Sequence, residues 1–131
     1  MIKAVIFDMD GVIVDSEPIM DIVLIQFFED MKIKFDKDIA KNFRGGSSEA
    51  FWRELKRIYS LPGSVDYYVN ERLKRTIEYY RKHGIKLIEN VINLIEEFKN
   101  LDLKIALATS AAHERMQVTL EILNLEKYFD V

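Results

Sequence analysis

The 131-residue sequence contains no cysteine, so disulfides and thiolate metal sites are excluded and the redox compartment is left open. It has two histidines, His83 and His113, too few and too far apart for metal-ligand spacing, and both read as ordinary polar surface. Glycine and proline are scarce, at five and two residues, and there is no repeat, low-complexity tract or flexible linker. No run of 18 apolar residues occurs, nor a basic start leading into an apolar signal segment, so the expected location is cytoplasmic. Neither Gly-x-x-x-x-Gly-Lys nor Gly-x-Gly-x-x-Gly occurs, which disfavours nucleotide-motor and dinucleotide readings. Positive charge is also short: the net charge of −3 argues against a general nucleic-acid binder.

What is present is ample apolar material, 49% of residues, enough for one domain or for a core with a modest insertion. The run Ile2, Ala4, Val5, Ile6, Phe7 predicts a buried strand, and Asp8-Met9-Asp10-Gly11 follows it as a loop. Asp8 then sits at the carboxyl end of the strand, where open α/β sheets place their ligand chemistry. Asp10 shares a face with it in extended geometry, and two close carboxylates are relieved by a cation or by one raised pKa. A hard dication such as Mg2+ fits oxygen ligands of this kind. An isolated Asp-x-Asp also serves simply to solvate a strand end.

Further along, Ser16 and Pro18 predict a helix to about Met31, apolar on more than one face and so buried on several sides. Asp36 caps a short helix through Phe43, and Arg44-Gly45-Gly46-Ser47 makes a turn. Ser47 or Ser48 caps a helix with Phe51, Trp52, Leu55, Ile58 and Tyr59 at helical spacing, ended by Pro62-Gly63. Ser64 caps another, with Val65, Val69, Leu73, Ile77 and Tyr80 on a stripe closed by Gly84. Residues 15–83 therefore read as a small all-α module between two α/β pieces, 1–14 and 84–131. Residues 15–84 carry 13 Lys+Arg against 12 Asp+Glu, and the rest 6 against 10. A more basic module beside an acidic remainder suits an anionic ligand, and equally a solvated face.

Residues Asn90 to Lys99 predict an amphipathic helix and Leu103 to Ala108 a second buried strand. Thr109-Ser110 then precede a helix at about Ala112 to Leu123. Strand, hydroxyl residue and helix make a phosphate-binding arrangement, because helix N-termini expose amides to anions. The same residues also serve as simple N-caps.

The ordered pattern Val5-Ile6-Phe7-Asp8-Met9-Asp10-Gly11-Val12-Ile13-Val14-Asp15-Ser16-Glu17-Pro18, followed by Leu107-Ala108-Thr109-Ser110, resembles the first two motifs of the haloacid dehalogenase-like (HAD) phosphohydrolases. The resemblance is to the branch holding phosphoglycolate phosphatase and β-phosphoglucomutase. It implies an α/β Rossmannoid core with a parallel sheet, incomplete here, and residues 15–83 as an inserted helical cap. It implies Asp8 as nucleophile forming an aspartyl-phosphate, Asp10 as general acid and base, and Thr109 and Ser110 as phosphate ligands. Mg2+ would be held by the Asp8 carboxylate and the Asp10 carbonyl. Arg44, Gly46 and Ser47 become substrate candidates on the cap. The expected activity is phosphate release from small phosphorylated metabolites, with no nucleic-acid or membrane partner.

The resemblance spans essentially all 131 residues but about the first two-thirds of a family member. The later lysine and acidic metal ligands cannot be assigned, and Lys127 comes too early for that lysine. A truncated sheet would leave the Asp8 strand with an open edge, expected to pair with a second copy or a complementing C-terminal fragment. Alternatives are a β-phosphoglucomutase-like mutase, against which stand Met20 and Ser48 where that branch has His and Arg, and a non-catalytic fragment that acts by association. The sequence also departs from the family's Pro-Gly near Glu89-Asn90, which bears on how the next helix starts.

Overall fold

The computed structural model describes all 131 residues, in the order β1 (Ala4–Phe7), α1 (Glu17–Asp30), α2 (Lys37–Lys41), α3 (Ser48–Tyr59), α4 (Val65–His83), α5 (Val91–Asn100), β2 (Lys104–Leu107) and α6 (His113–Ile122). A short 3-10 turn, Glu126–Tyr128, follows α6. The fold is mixed α/β, with six helices and a small parallel sheet. The chain divides into two units, Met1–Ile19 with Ile77–Val131, and Met20–Thr76, and both divisions fall inside helices, α1 and α4. No helix is long and apolar enough to cross a membrane.

The first unit is built on the pairing of β1 with β2 in parallel register, from Ala4 opposite Lys104 to Phe7 opposite Leu107. Parallel strands need a long crossover, and here everything between Asp8 and Leu103 supplies it. Phe7, Ile105, Ile95, Val91, Val118 and Leu125 form one core with Met9, Ile13 and Val14 from the loop after β1. The loop is fastened by main-chain bonds from Asp15 N–H to the Lys86 carbonyl and from Ile88 N–H to the Ile13 carbonyl. The expectation of fully buried strands fails at β1: Ile6 is 69% exposed, because β1 pairs only with β2 and that face carries no helix from this chain. The far edge of β2, by contrast, is covered by the last residues. Asp130 N–H donates to the Ile105 carbonyl at 2.7 Å and Leu107 N–H to the Val131 carbonyl at 3.0 Å.

The second unit is all-helical around an aromatic core of Phe27, Phe28, Phe51, Trp52 and Tyr68. Trp52 lies nearly parallel to Phe28 and stacks on Tyr68, with ring centroids 6.1 and 5.1 Å apart. In α1 the buried residues Val23, Leu24, Phe27 and Phe28 make one stripe while Ile22 is exposed, so this helix is not buried on several sides as its composition suggests. An apolar residue outside the i, i+3, i+4 stripe stays at the surface whatever its type.

Local capping chemistry explains the helix starts. The Asp36 carboxylate accepts from Asp38 N–H at 2.9 Å, and α2 stops at Lys41 rather than Phe43. Ser47, not Ser48, is the N-cap of α3, its hydroxyl accepting from Ala50 N–H at 3.1 Å. Ser64 Oγ accepts from Tyr67 N–H at 3.2 Å at the start of α4. Before α5, Asn90 takes a left-handed backbone, φ 63°, with no side-chain cap. Asparagine is among the few non-glycine residues that adopt this conformation readily.

Candidate active site

The parallel register brings the two sequence motifs to one end of the sheet. Phe7 and Leu107 are partners, the Phe7 carbonyl accepts from Ala108 N–H at 2.8 Å, and the strands run on into Asp8 and, one residue after Ala108's bond, into Thr109. The turn after β1 closes on itself: Gly11 N–H bonds the Val14 carbonyl at 2.8 Å and Val14 N–H bonds the Met9 carbonyl at 3.1 Å. Gly11 needs its missing Cβ here, since its φ is +75°. Neither of these bonds uses the Asp10 carbonyl.

Asp8 is exposed, and its Oδ1 accepts from Met9 N–H at 2.7 Å. Asp10 is in a different state. Its Oδ1 accepts from Arg115 Nη1 at 2.7 Å and from Ser16 Oγ at 2.6 Å, while Oδ2 accepts from Arg115 Nη2 at 2.7 Å. Burial pushes the Asp10 carboxyl up, but the hydrogen bonds from Arg115 and Ser16 and the guanidinium charge outweigh it and hold the pKa below its ordinary value. Arg115 is itself buried, and although burial disfavours its charge, Asp10 and then Tyr80 hold it firmly protonated. Ser16, expected as a cap, thus spends its hydroxyl proton on Asp10.

Thr109 and Ser110 occupy the loop between β2 and α6. The Thr109 hydroxyl oxygen accepts from Ala111 N–H at 3.1 Å, and the N-cap of α6 is Ala112, with no side-chain bond. Neither hydroxyl residue is the N-cap of α6. The remaining candidates, Arg44, Gly46 and Ser47, lie in the helical unit: Arg44 is ion-paired with Asp21, Ser47 caps α3, and a Cβ at Gly46 would meet only ordinary contacts at 3.9 Å.

Sequence reasoning missed Arg115. It stands 105 residues from Asp10, in the first turn of a helix, and a basic residue there reads as surface. The only signal was its place just after the Thr109-Ser110 motif. No group of three or more His, Cys, Asp or Glu side chains gathers into a metal cage in the chain. The Asp8 carboxylate and the Asp10 carbonyl are the oxygen donors expected for Mg2+, an ion that also takes water and phosphate oxygens into its shell.

A Thermotoga maritima protein named phosphorylated carbohydrates phosphatase is 30% identical over 98% of this chain and 59% of its own length. A Bacillus subtilis β-phosphoglucomutase is 31% identical over 83% of this chain and 51% of its own. The crystal structure of CbbY from Rhodobacter sphaeroides in complex with phosphate superposes with a TM-score of 0.83 at 17% identity, covering 100% of this chain and 62% of that one, a likeness of fold. The chain spans between half and three-fifths of the length of these two curated relatives. The sequence profile described as haloacid dehalogenase-like hydrolase matches residues 5–131, and the chain belongs to that family.

Proposed function

We propose that this chain carries the nucleophile and phosphate-binding part of a Mg2+-dependent phosphatase of small phosphorylated metabolites. The observation that carries the reading is the parallel register of β1 and β2, which sets exposed Asp8 beside the Thr109-Ser110 loop. In this mechanism an Asp8 carboxylate oxygen attacks phosphorus, the bond from phosphorus to the ester oxygen breaks, and Asp10 protonates that leaving oxygen. Asp10 then takes a proton from water, whose oxygen attacks the aspartyl-phosphate and releases inorganic phosphate and free Asp8. The Thr109 hydroxyl and the Ser110 amide hold the phosphoryl oxygens, consistent with a Thr109 oxygen that already accepts from Ala111 and so has its proton to donate. Mg2+ would be held by the Asp8 carboxylate and the Asp10 carbonyl and would offset phosphoryl charge.

The pairing with Arg115 and Ser16 keeps Asp10 ionised and takes up both its oxygens, so each of its roles, acid and base, requires that the pairing loosen. A phosphorylated carbohydrate is the substrate class suggested by the Thermotoga relative's name. Mutase chemistry is the weaker reading. Met20 cannot donate a hydrogen bond, and its sulfur lies 4.0 Å from the Thr76 hydroxyl, while Ser48 cannot clamp a second phosphate. Arg44, Gly46 and Ser47 are proposed to select the substrate from the helical unit, with Arg44 supplying charge.

The test is phosphate release from an aryl phosphate in Mg2+ by the full chain and by Asp8→Asn. Loss of release in the variant supports the nucleophile, and retained release would refute it. An unsubstituted chain that binds phosphate without turning over would support the non-catalytic, associating alternative.

A further inference from the structure

Burying an ion pair is costly unless its geometry is excellent and its remaining hydrogen-bonding groups are satisfied. The Asp10–Arg115 pair meets both conditions. Its two bonds are equal at 2.7 Å, in the two-pronged arrangement that only a guanidinium makes with a carboxylate. Ser16 fills a further lone pair of Asp10 at 2.6 Å, and Tyr80 Oη lies 3.4 Å from Arg115 Nη1. The Arg115 side chain is 9% exposed and its helix is held in the core by Val118. The Thr119 hydroxyl donates to the Arg115 carbonyl at 2.8 Å, so the turn that carries the guanidinium is itself bonded.

Two carboxylates two residues apart stand at the end of β1, where the proposed reaction receives an anion. Each would repel it. Asp8 must stay available for attack and has no cationic side chain bonded to it. Asp10 alone is neutralised, by a residue that reaches from α6. We propose that Arg115 is a positioning residue of the phosphate site: it acts through Asp10, holding that carboxylate in one two-pronged pairing against α6 so that its charge is cancelled before phosphate arrives. This rests on the phosphatase reading above and adds to it a residue that touches neither substrate nor metal.

The experiment is calorimetric titration of inorganic phosphate into the full chain in magnesium-containing buffer at pH 7, for the unsubstituted protein, R115M, R115K, D10N and D10N/R115M. R115M, which leaves Asp10 charged and unpaired, should bind phosphate about tenfold more weakly. R115K restores charge but not both prongs and should recover part of the loss. D10N/R115M, with no charge left to cancel, should bind within about twofold of D10N. A purely structural role for Arg115 would weaken the double variant as much as the single one.

Should R115M lose its helical circular dichroism, the same cycle is closed with R115Q and D10N/R115Q, which likewise leave no charge at position 115 and whose outcomes are read identically. Phosphate affinity in R115M equal to that of the unsubstituted chain, or a loss undiminished by D10N, overturns the proposal and leaves the phosphatase reading standing. If neither the unsubstituted chain nor D10N takes up phosphate, the reading itself fails and the proposal with it.

Discussion

Ile105 and Asp130 hold each other by reciprocal bonds: the Asp130 amide donates to the Ile105 carbonyl at 2.7 Å, and the Ile105 amide donates to Asp130 Oδ2 at 2.8 Å. One residue near the end of the chain thus satisfies both main-chain groups of the most buried residue of β2. The bond from the Ile105 amide keeps the Asp130 carboxyl below its ordinary pKa. Asp130→Ala should leave the Ile105 amide short of a partner and loosen the last residues from the sheet. Hydrogen exchange at the Ile105 amide should rise by about tenfold or more, since a lost bond of this kind is worth about 1–2 kcal/mol. Unchanged exchange would show that the carboxylate bond is dispensable.

β1 has no such cover. Its outer edge is unpaired, and Ile6 and Ile2 are exposed beside it. Such an edge templates pairing with another strand. We propose that it recruits a second copy or a complementing segment, and that Ile6→Lys reduces the association. Light scattering across a concentration series checks this, and a cooperative monomer at every concentration would count against it.

The Asp10–Arg115 pair makes a prediction about acid. A carboxyl whose folded pKa is depressed contributes stability that is complete above its unfolded value, about 3.9, and that is lost as pH falls through the folded value. At pH 7, R115M should cost about 2–3 kcal/mol. That is less than a fully buried pair would cost, because the Asp10 side chain keeps 33% exposure. The gap between the two proteins should narrow as pH falls below about 4. Urea unfolding at pH 7 and pH 3 measures both, and a gap independent of pH would show that the charge of Asp10 is not its source.

Trp52 gives a contrasting case in the helical unit. It is fully buried between Phe28 and Tyr68, yet its indole Nε1 has no hydrogen-bond partner. Trp52→Ala should cost about 3–5 kcal/mol through the cavity it leaves. Trp52→Phe should cost clearly less, because removing an unsatisfied buried N–H returns about 1–3 kcal/mol against the lost packing. Thermal unfolding followed by circular dichroism separates the two, and equal losses would mean that ring volume alone matters.

What the sequence made legible follows the range over which each interaction acts. The caps at Asp36, Ser47 and Ser64 involve bonds two or three residues long, so side-chain type and neighbours suffice to find them. Both strands and the helices around them were readable from periodicity, and the family from two ordered motifs. The exposure of Ile6 was not, because strand burial depends on which elements cover the sheet rather than on the strand's own residues. Ile22 misled in the same way within α1. Arg115 was not found, since its meaning lies in a carboxylate 105 residues away and its place after the Thr109-Ser110 motif was the only local signal.

The register of β1 against β2 carries a consequence for how the site comes into being. Asp8 and Thr109 are brought together only by strands some hundred positions apart in sequence, across a span that includes the whole helical unit. Closing so long a loop is among the slower events of folding, and it precedes any geometry at the strand ends. The helical unit has a core of its own in Phe27, Phe28, Trp52 and Tyr68, apart from the sheet, but the site cannot form without the sheet. Helical content alone will overstate how much of a population can hold phosphate.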